Sequence, residues 1–203
     1  MADESLAEYE AFLRSKFQFS QARGFEVSDD DITPCLFPHQ RDIVRWAVKG
    51  GRRAIFAAFG LGKTVMQLEI LRLIHAREPG RYLIIAPLGV RQEFRRDAEK
   101  MFGMDLKFVR RSEEVIDLGF YITNYESVRD GRLDVALFDG ISLDEASVLR
   151  SYGSKTYQEF LTLFGDTKYR FVATATPSPN RYKELIHYAG FLGIMDTGQA
   201  LTR

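Results

Sequence analysis

The sequence has few of the features that mark several common classes of protein. It contains a single cysteine, Cys35, which excludes an internal disulfide framework and a zinc site built from several cysteines. We expect this cysteine to be a small buried side chain. The apolar runs are short, whereas a membrane-spanning helix needs roughly 18 apolar residues in succession. The first residues, MADESLAEYE, are acidic and unlike a signal peptide, so we expect an intracellular protein with no membrane partner.

The chain also lacks net charge, because its 28 basic residues balance 28 acidic ones. The charges are unevenly distributed: residues 1–31 carry eight acids and three bases, and residues 81–111 carry eight bases and four acids. A locally basic surface is therefore possible, although such a run is more often a solvated helix face. The three histidines, His39, His75 and His187, show no ligand spacing, and we assign them no metal.

The order of apolar segments predicts an α/β fold. Strand-like runs occur at 53–57, 81–87, 106–110, 119–123, 140–144 and 169–174. Helix-length segments occur at 63–76, 89–102, 155–164 and 180–191. Such alternation favours a mostly parallel central sheet with helices on both faces and with ligands at the carboxyl ends of the strands. We expect residues 36–203 to form this domain and residues 1–35 to form an accessory piece, with a helix over 6–17 and an acidic link.

Residues 54–64, AIFAAFGLGKT, end in the manner of a phosphate-binding loop. Gly60 and Gly62 would let the backbone curl, Lys63 would reach the β and γ phosphates of ATP, and the Thr64 hydroxyl would hold Mg²⁺. Ala57, however, stands where the common G-x-x-x-x-G-K-[ST] pattern has its first glycine. The alternative is a glycine-bearing turn with a surface lysine. The predicted nucleotide contacts in this loop are Phe59, Gly60, Leu61, Gly62, Lys63, Thr64 and Val65.

A second motif, ISLDEAS, places Asp144 and Glu145 at the end of a predicted strand. In phosphoryl transfer an aspartate at this place holds Mg²⁺, and an adjacent carboxylate can orient or deprotonate the attacking water. We therefore predict catalytic roles for Lys63, Asp144 and Glu145, and a magnesium site formed by Thr64 and Asp144.

From Phe37 to Asn180, about seven tenths of the chain, the order of motifs resembles the first motor lobe of superfamily 2 helicases and translocases. The Snf-type branch is the most similar. AAFGLGKT resembles the A-x-x-G-x-G-K-T loop of the superfamily, in which alanine at the first position is ordinary. LDEAS is similar to the D-E-A-H box, with Ser147 in the last place. The remaining similar segments are FPHQRDIVRWAV, IIAPLGVRQEFRRD, ITNYESVR and SKTYQEFLTLFGDTKYRFVATATPSPN.

This resemblance implies a RecA-like P-loop NTPase fold and further site residues. Gln40 would read the adenine edge, and Thr174 and Thr176 would couple the carboxylates to the nucleic-acid face. Residues near the nucleic acid would be Pro87, Arg91, Thr123 and Tyr125. The implied partner is nucleic acid, by resemblance duplex DNA, and the implied location is the cytoplasm or the nucleoid.

The resemblance also implies a partner lobe. Motors of this kind hydrolyse ATP between two RecA-like lobes, and the second supplies arginine fingers from a Q-x-x-G-R-x-x-R type segment, which this sequence lacks. We therefore expect poor activity of this lobe without a second lobe, present in a longer chain or supplied in trans. Two alternatives stay open: a nucleotide-binding switch that recruits partners, and a DNA-packaging type of motor.

Overall fold

The computed structural model describes residues 22–146, 155–178 and 185–194, with only the backbone of residues 155–157. The expected helix over 6–17, Ser147 of the D-E-A-S segment and residues 180–184 of the last expected helix lie outside these ranges. In the described part of the chain, no helix combines the length and the apolar character needed to cross a membrane.

The described strands form one six-stranded sheet in which every neighbouring pair is parallel. The strands are β1 (Arg52–Phe56), β2 (Arg81–Ile85), β3 (Leu106–Phe108), β4 (Gly119–Thr123), β5 (Gly140–Asp144) and β6 (Tyr169–Thr174). Their order across the sheet is β1-β6-β5-β2-β4-β3. The helices are α1 (Pro38–Gly50), α2 (Lys63–Arg77), α3 (Arg91–Phe102), α4 (Tyr125–Arg129), α5 (Lys155–Leu163) and α6 (Leu185–Phe191). The predicted parallel α/β fold is confirmed.

The core has two layers, one on each face of the sheet, and successive residues of a strand belong to opposite layers. Tyr82 and Ile84 pack in the layer that contains α1, α2 and α3. Leu83 and Ile85 pack in the opposite layer with α4, α5 and α6. Successive side chains of a strand point to opposite faces, so a central strand covered on both sides has to be apolar throughout. The helix α2 is buried around much of its circumference.

The segment before α1, which we expected to belong to an accessory piece, packs against α2. Val27, Ile32 and Leu36 are buried members of the same core layer as α2. The carboxylate of Glu69, buried in α2, accepts hydrogen bonds from the backbone nitrogen and the hydroxyl of Thr33, at 2.7 and 3.1 Å. Cys35, expected to be buried, is exposed. Residues 22–36 are therefore packed onto the lobe.

Two buried arginines close the amino end of the sheet. Arg52 donates to the backbone carbonyls of Thr167 and Lys168, just after α5. Arg170 donates to carbonyls at the ends of both α5 and α6, including that of Phe191 at 2.6 Å. Burial lowers the pKa of each guanidinium to about 10. These contacts fill the amino end of the sheet at β1 and β6.

Candidate functional site

The loop between β1 and α2 has the backbone that the phosphate-loop motif predicts. Gly60 and Gly62 have φ values of +82° and +78°, in the left-handed region that favours glycine. Ala57 is buried and has no positive φ, and its backbone nitrogen donates to Thr174 at 3.3 Å, which extends the pairing of β1 with β6. Alanine at this position therefore meets no conformational penalty, and the loop keeps glycine only where the backbone requires it.

Lys63 is the first residue of α2, and its ammonium group lies back over the loop. Its Nζ donates to the backbone carbonyls of Ala57 and Ala58, at 3.1 and 3.4 Å. The same Nζ lies 5.1 Å from the ring centroid of Phe59, which is 78% exposed. The positive charge is thus next to the helix N-terminus, where the partial positive charge of the helix and free backbone N–H groups also favour an anion.

Gln40 fixes the shape of this loop from α1. Its Oε1 accepts a hydrogen bond from the backbone nitrogen of Phe37 at 3.0 Å, and its Nε2 donates to the backbone carbonyl of Leu61 at 3.1 Å. The side chain is buried and connects the loop between β1 and α2 to the start of α1. The contact with an adenine edge that the resemblance implies stays a prediction.

The two loop glycines should differ in their sensitivity to alanine. A Cβ at Gly62 would lie 2.3 Å from Nε2 of Gln40, whereas a Cβ at Gly60 has no heavy atom within 4 Å. A left-handed non-glycine residue costs roughly 1–2 kcal/mol, so Gly60→Ala should lose about that much stability. Gly62→Ala should lose more, because Gln40 must also move. Urea unfolding of both variants checks this order, and equal losses would contradict it.

Asp144 ends β5 and accepts a hydrogen bond from Gln67, a buried amide that no motif of the sequence predicted. Nε2 of Gln67 donates to Oδ1 of Asp144 at 2.9 Å, and Oε1 of Gln67 accepts from the hydroxyl of Ser142 at 2.6 Å. Burial raises the pKa of the Asp144 carboxyl, the Gln67 hydrogen bond lowers it, and the neighbouring Glu145 carboxylate raises it. The sequence does contain one indication that Gln67 lies near the site: it follows Lys63 by one helical turn and therefore shares its face of α2.

Glu145 turns away from Asp144. It has a φ of +48°, and no other described residue except glycine has a positive φ. Its Oε1 accepts hydrogen bonds from the hydroxyls of Thr174 at 3.1 Å and Thr176 at 3.4 Å. The backbone nitrogen of Thr176 donates to the Thr174 hydroxyl at 3.1 Å. The two adjacent carboxylates therefore have different partners. Asp144 bonds to α2, and Glu145 bonds to the threonines at the end of β6 and just after it.

The loop between β1 and α2 and the two carboxylates line one cleft of about 550 Å³. This volume is within the usual range for small-ligand sites. The cleft is lined by Phe59, Gly60, Gly62, Lys63, Thr64, Val65, Pro87, Val90, Glu93, Asp97, Asp144 and Glu145. Pro87, predicted to lie near a nucleic acid, is thus a wall of this cleft. Glu93 and Asp97 were not predicted, although their spacing of four residues places them on one face of α3.

The donor set fits magnesium bound together with a phosphate. Within the described residues, no three His, Cys, Asp or Glu side chains are close enough to hold a metal by themselves. Mg²⁺ is commonly bound through one or two protein oxygens, waters and substrate phosphates, and does not need a cage of protein ligands. Thr64 and Asp144 line the cleft and are oxygen donors of this kind.

Arg91, another residue predicted to lie near a nucleic acid, starts α3 at the carboxyl end of the sheet. Its guanidinium lies 4.2 Å from the ring centroid of Phe108, and that of Arg110 lies 5.3 Å from the same ring. Phe108 ends the short strand β3. The ring therefore holds two cationic groups close together at the end of the sheet that carries the cleft.

Thr123 and Tyr125, the other two residues predicted to lie near a nucleic acid, have internal partners. Thr123 is buried and its hydroxyl donates to the carbonyl of Val109 at 2.7 Å, so its side chain does not reach the surface. The Tyr125 hydroxyl donates to the backbone carbonyl of Asp144 at 2.7 Å, and its ring stacks on Phe160. Burial, followed by the charge of Asp144, raises the pKa of Tyr125 well above its ordinary value. The Tyr125 hydroxyl thus supports the backbone of Asp144, and the Thr123 hydroxyl is taken up by a contact inside the core. That these two residues lie near a nucleic acid stays a prediction.

This fold and the arrangement at the carboxyl end of its sheet define a RecA-like ATPase domain. Residues 39–200 match the model of the SNF2-related domain, and the chain belongs to that family as a helicase-like ATPase domain. The comparison with curated proteins gives no match.

Solved structures with the same fold include two archaeal proteins and one phage protein. The SWI2/SNF2 ATPase core of Sulfolobus solfataricus in complex with dsDNA is 21% identical, with a TM-score of 0.70 over 86% of this chain and 38% of that one. The UvsW helicase of bacteriophage T4 is 15% identical, with a TM-score of 0.63 over 77% of this chain and 57% of that one. The Pyrococcus furiosus Hef helicase domain is 18% identical, with a TM-score of 0.63 over 76% and 35%. This chain therefore spans about a third to somewhat more than half of the length of these structures.

Proposed function

We propose that this domain binds and hydrolyses ATP with Mg²⁺ as the first lobe of a nucleic-acid-dependent translocase that acts on duplex DNA. The observation that carries the proposal is the shared cleft, which brings Lys63 and Thr64 of one motif together with Asp144 and Glu145 of another. The motifs are some 80 residues apart in sequence, so their meeting in one cleft is independent support for a common function.

In this proposal, different residues of the cleft bind the phosphates, bind Mg²⁺ and activate the attacking water. Gly60, Gly62 and the first turn of α2 receive the phosphates, and the ammonium of Lys63 moves from its own loop carbonyls to the β and γ phosphates. Thr64 and Asp144 hold Mg²⁺, which when bound neutralises charge on the phosphates. Glu145 orients the attacking water and accepts its proton, while the Thr174 and Thr176 hydroxyls set the direction of that carboxylate.

A second RecA-like lobe is part of the proposed function. An arginine finger supplied by another domain contributes about 10³- to 10⁵-fold in rate in related chemistry. We therefore expect this domain by itself to turn over ATP slowly. Adding or joining a second lobe with paired arginines should raise the rate, and a rate that stays the same would contradict this part of the proposal.

The nucleic-acid face should include Arg91. Binding to a short DNA duplex, to its separate strands and to an RNA duplex of the same sequence can be measured at several salt concentrations, because each phosphate contact releases counterions. We expect the DNA duplex to bind best. Arg91→Ala should reduce the slope of log affinity against log salt by about one.

The matched control is Arg77→Ala. Arg77 is exposed at the end of α2, at the opposite end of the sheet from Arg91. The slope should stay at the wild-type value in this variant. Equal slopes in the Arg91 and Arg77 variants would remove Arg91 from the proposed face, and tighter binding of RNA would change the proposed substrate.

A further inference from the structure

Gln67 is an unusual residue for its position. It is 1% exposed in the middle of α2, and its neighbours Met66, Leu68 and Ile70 are completely buried apolar residues. A primary amide costs free energy to bury unless both of its ends form hydrogen bonds. Both ends do so here, but the partners are two residues of a single strand, Ser142 and Asp144.

The three side chains form a directional chain. Ser142 and Asp144 are two residues apart on β5, so they share the face of the sheet that α2 covers. Because the Ser142 hydroxyl donates to Oε1 of Gln67, the amide nitrogen of Gln67 faces Asp144 and can only donate. One oxygen of the Asp144 carboxylate is thereby fixed from inside the core. The plane of this carboxylate is set before any ligand enters the cleft.

We propose that Gln67 is a positioning residue for the cation: it orients the Asp144 carboxylate for Mg²⁺, and Ser142 orients Gln67. This inference rests on the proposed function, because it concerns the same magnesium ligand. Partners that hold a metal ligand from behind typically contribute 10- to 100-fold in metal affinity. The alternative is a purely structural role, in which these hydrogen bonds only satisfy polar groups that are buried in the core. Experiment can separate the positioning role from the structural one.

The decisive variant is Gln67→Met, which keeps the length of the side chain and removes the donor. Binding of a fluorescent ATP analogue is titrated at a series of Mg²⁺ concentrations. We expect the Mg²⁺ concentration for half-maximal binding to rise about 10- to 100-fold. Binding without Mg²⁺ should stay at the wild-type level, because the phosphate loop is unchanged. Ser142→Ala should shift the same midpoint in the same direction by a smaller factor.

Glu69→Gln is the matched control on the same helix. Glu69 is as deeply buried as Gln67 but contacts Thr33 and Arg72, on the side away from β5. This variant should lower the thermal unfolding temperature and leave the Mg²⁺ midpoint unchanged. If Gln67→Met lowers the unfolding temperature but leaves the midpoint unchanged, Gln67 has only a structural role and the inference is wrong.

Failure of this inference can be told apart from failure of the proposed function. Lys63→Ala tests the nucleotide site without touching Gln67. If Lys63→Ala keeps full affinity, the proposed function is wrong. If Lys63→Ala loses affinity while Gln67→Met and Ser142→Ala keep the wild-type Mg²⁺ midpoint, only the inference is wrong. Should Gln67→Met fail to fold, the midpoint of Ser142→Ala decides.

Discussion

Replacing Glu145 by glutamine is expected to remove most ATP turnover and to leave nucleotide binding unchanged. Glutamine keeps the shape of the side chain and an oxygen that can accept from Thr174 and Thr176. It cannot accept the proton of the attacking water. General base catalysis typically contributes 10²- to 10⁴-fold, so the rate of phosphate release should fall by about that factor. Turnover is measured with a second lobe present, and binding is measured on this domain with a fluorescent ATP analogue.

The control for this variant is Glu99→Gln, an exposed carboxylate on α3 that does not line the cleft. It should keep the rate of the unmodified domain. Normal turnover in Glu145→Gln would exclude Glu145 as the base. A parallel loss of binding and turnover would instead indicate that Glu145 holds the nucleotide or the shape of the loop.

Lys63→Ala should cause the largest loss of nucleotide affinity. The variant removes the cationic group of the cleft nearest to the helix N-terminus, and hydrogen bonds from charged donors contribute about 1.5–3 kcal/mol each. The affinity for Mg-ATP should therefore fall about 10- to 100-fold, since about 1.4 kcal/mol corresponds to a factor of ten. Calorimetric titration with ATP and Mg²⁺ measures the change.

Two further variants make this prediction specific. Lys63→Arg keeps the charge but replaces a compact ammonium by a planar fork, so it should recover only part of the affinity. Lys100→Ala removes an exposed lysine of α3, and its affinity should equal that of the wild type. Undiminished affinity in Lys63→Ala would show that the loop does not bind phosphate.

The sheet was predictable where the apolar runs were continuous. Strands β4, β5 and β6 have the predicted bounds. Each adds buried apolar side chains to the core, and polar residues among them such as Ser142 and Arg170 form hydrogen bonds inside it. The short helix α4, Tyr125–Arg129, was not predicted. Five residues are too few to show a helical period, and a helix of this length depends on packing for its stability. The packing of residues 22–36 was not predicted for a related reason: this segment has no regular period, and only its contacts with α2 show that it is packed onto the lobe.

The sequence by itself predicted the main residues that line the cleft, because the glycines, the lysine and the adjacent carboxylates form local patterns with a local physical meaning. It also explained Ala57 as an ordinary variant, and the structure adds that the backbone there does not need glycine. Only the tertiary structure decided how the second layer of the site is built. Gln67 and Tyr125 each contact Asp144, which is far from both of them in sequence. The position of the Glu145 carboxylate depends on a single backbone angle, the positive φ of that residue. The partners of Gln67 and Tyr125 are set by how α2 and α4 pack on the sheet, and a local pattern can place these residues on a helix face without naming their partners.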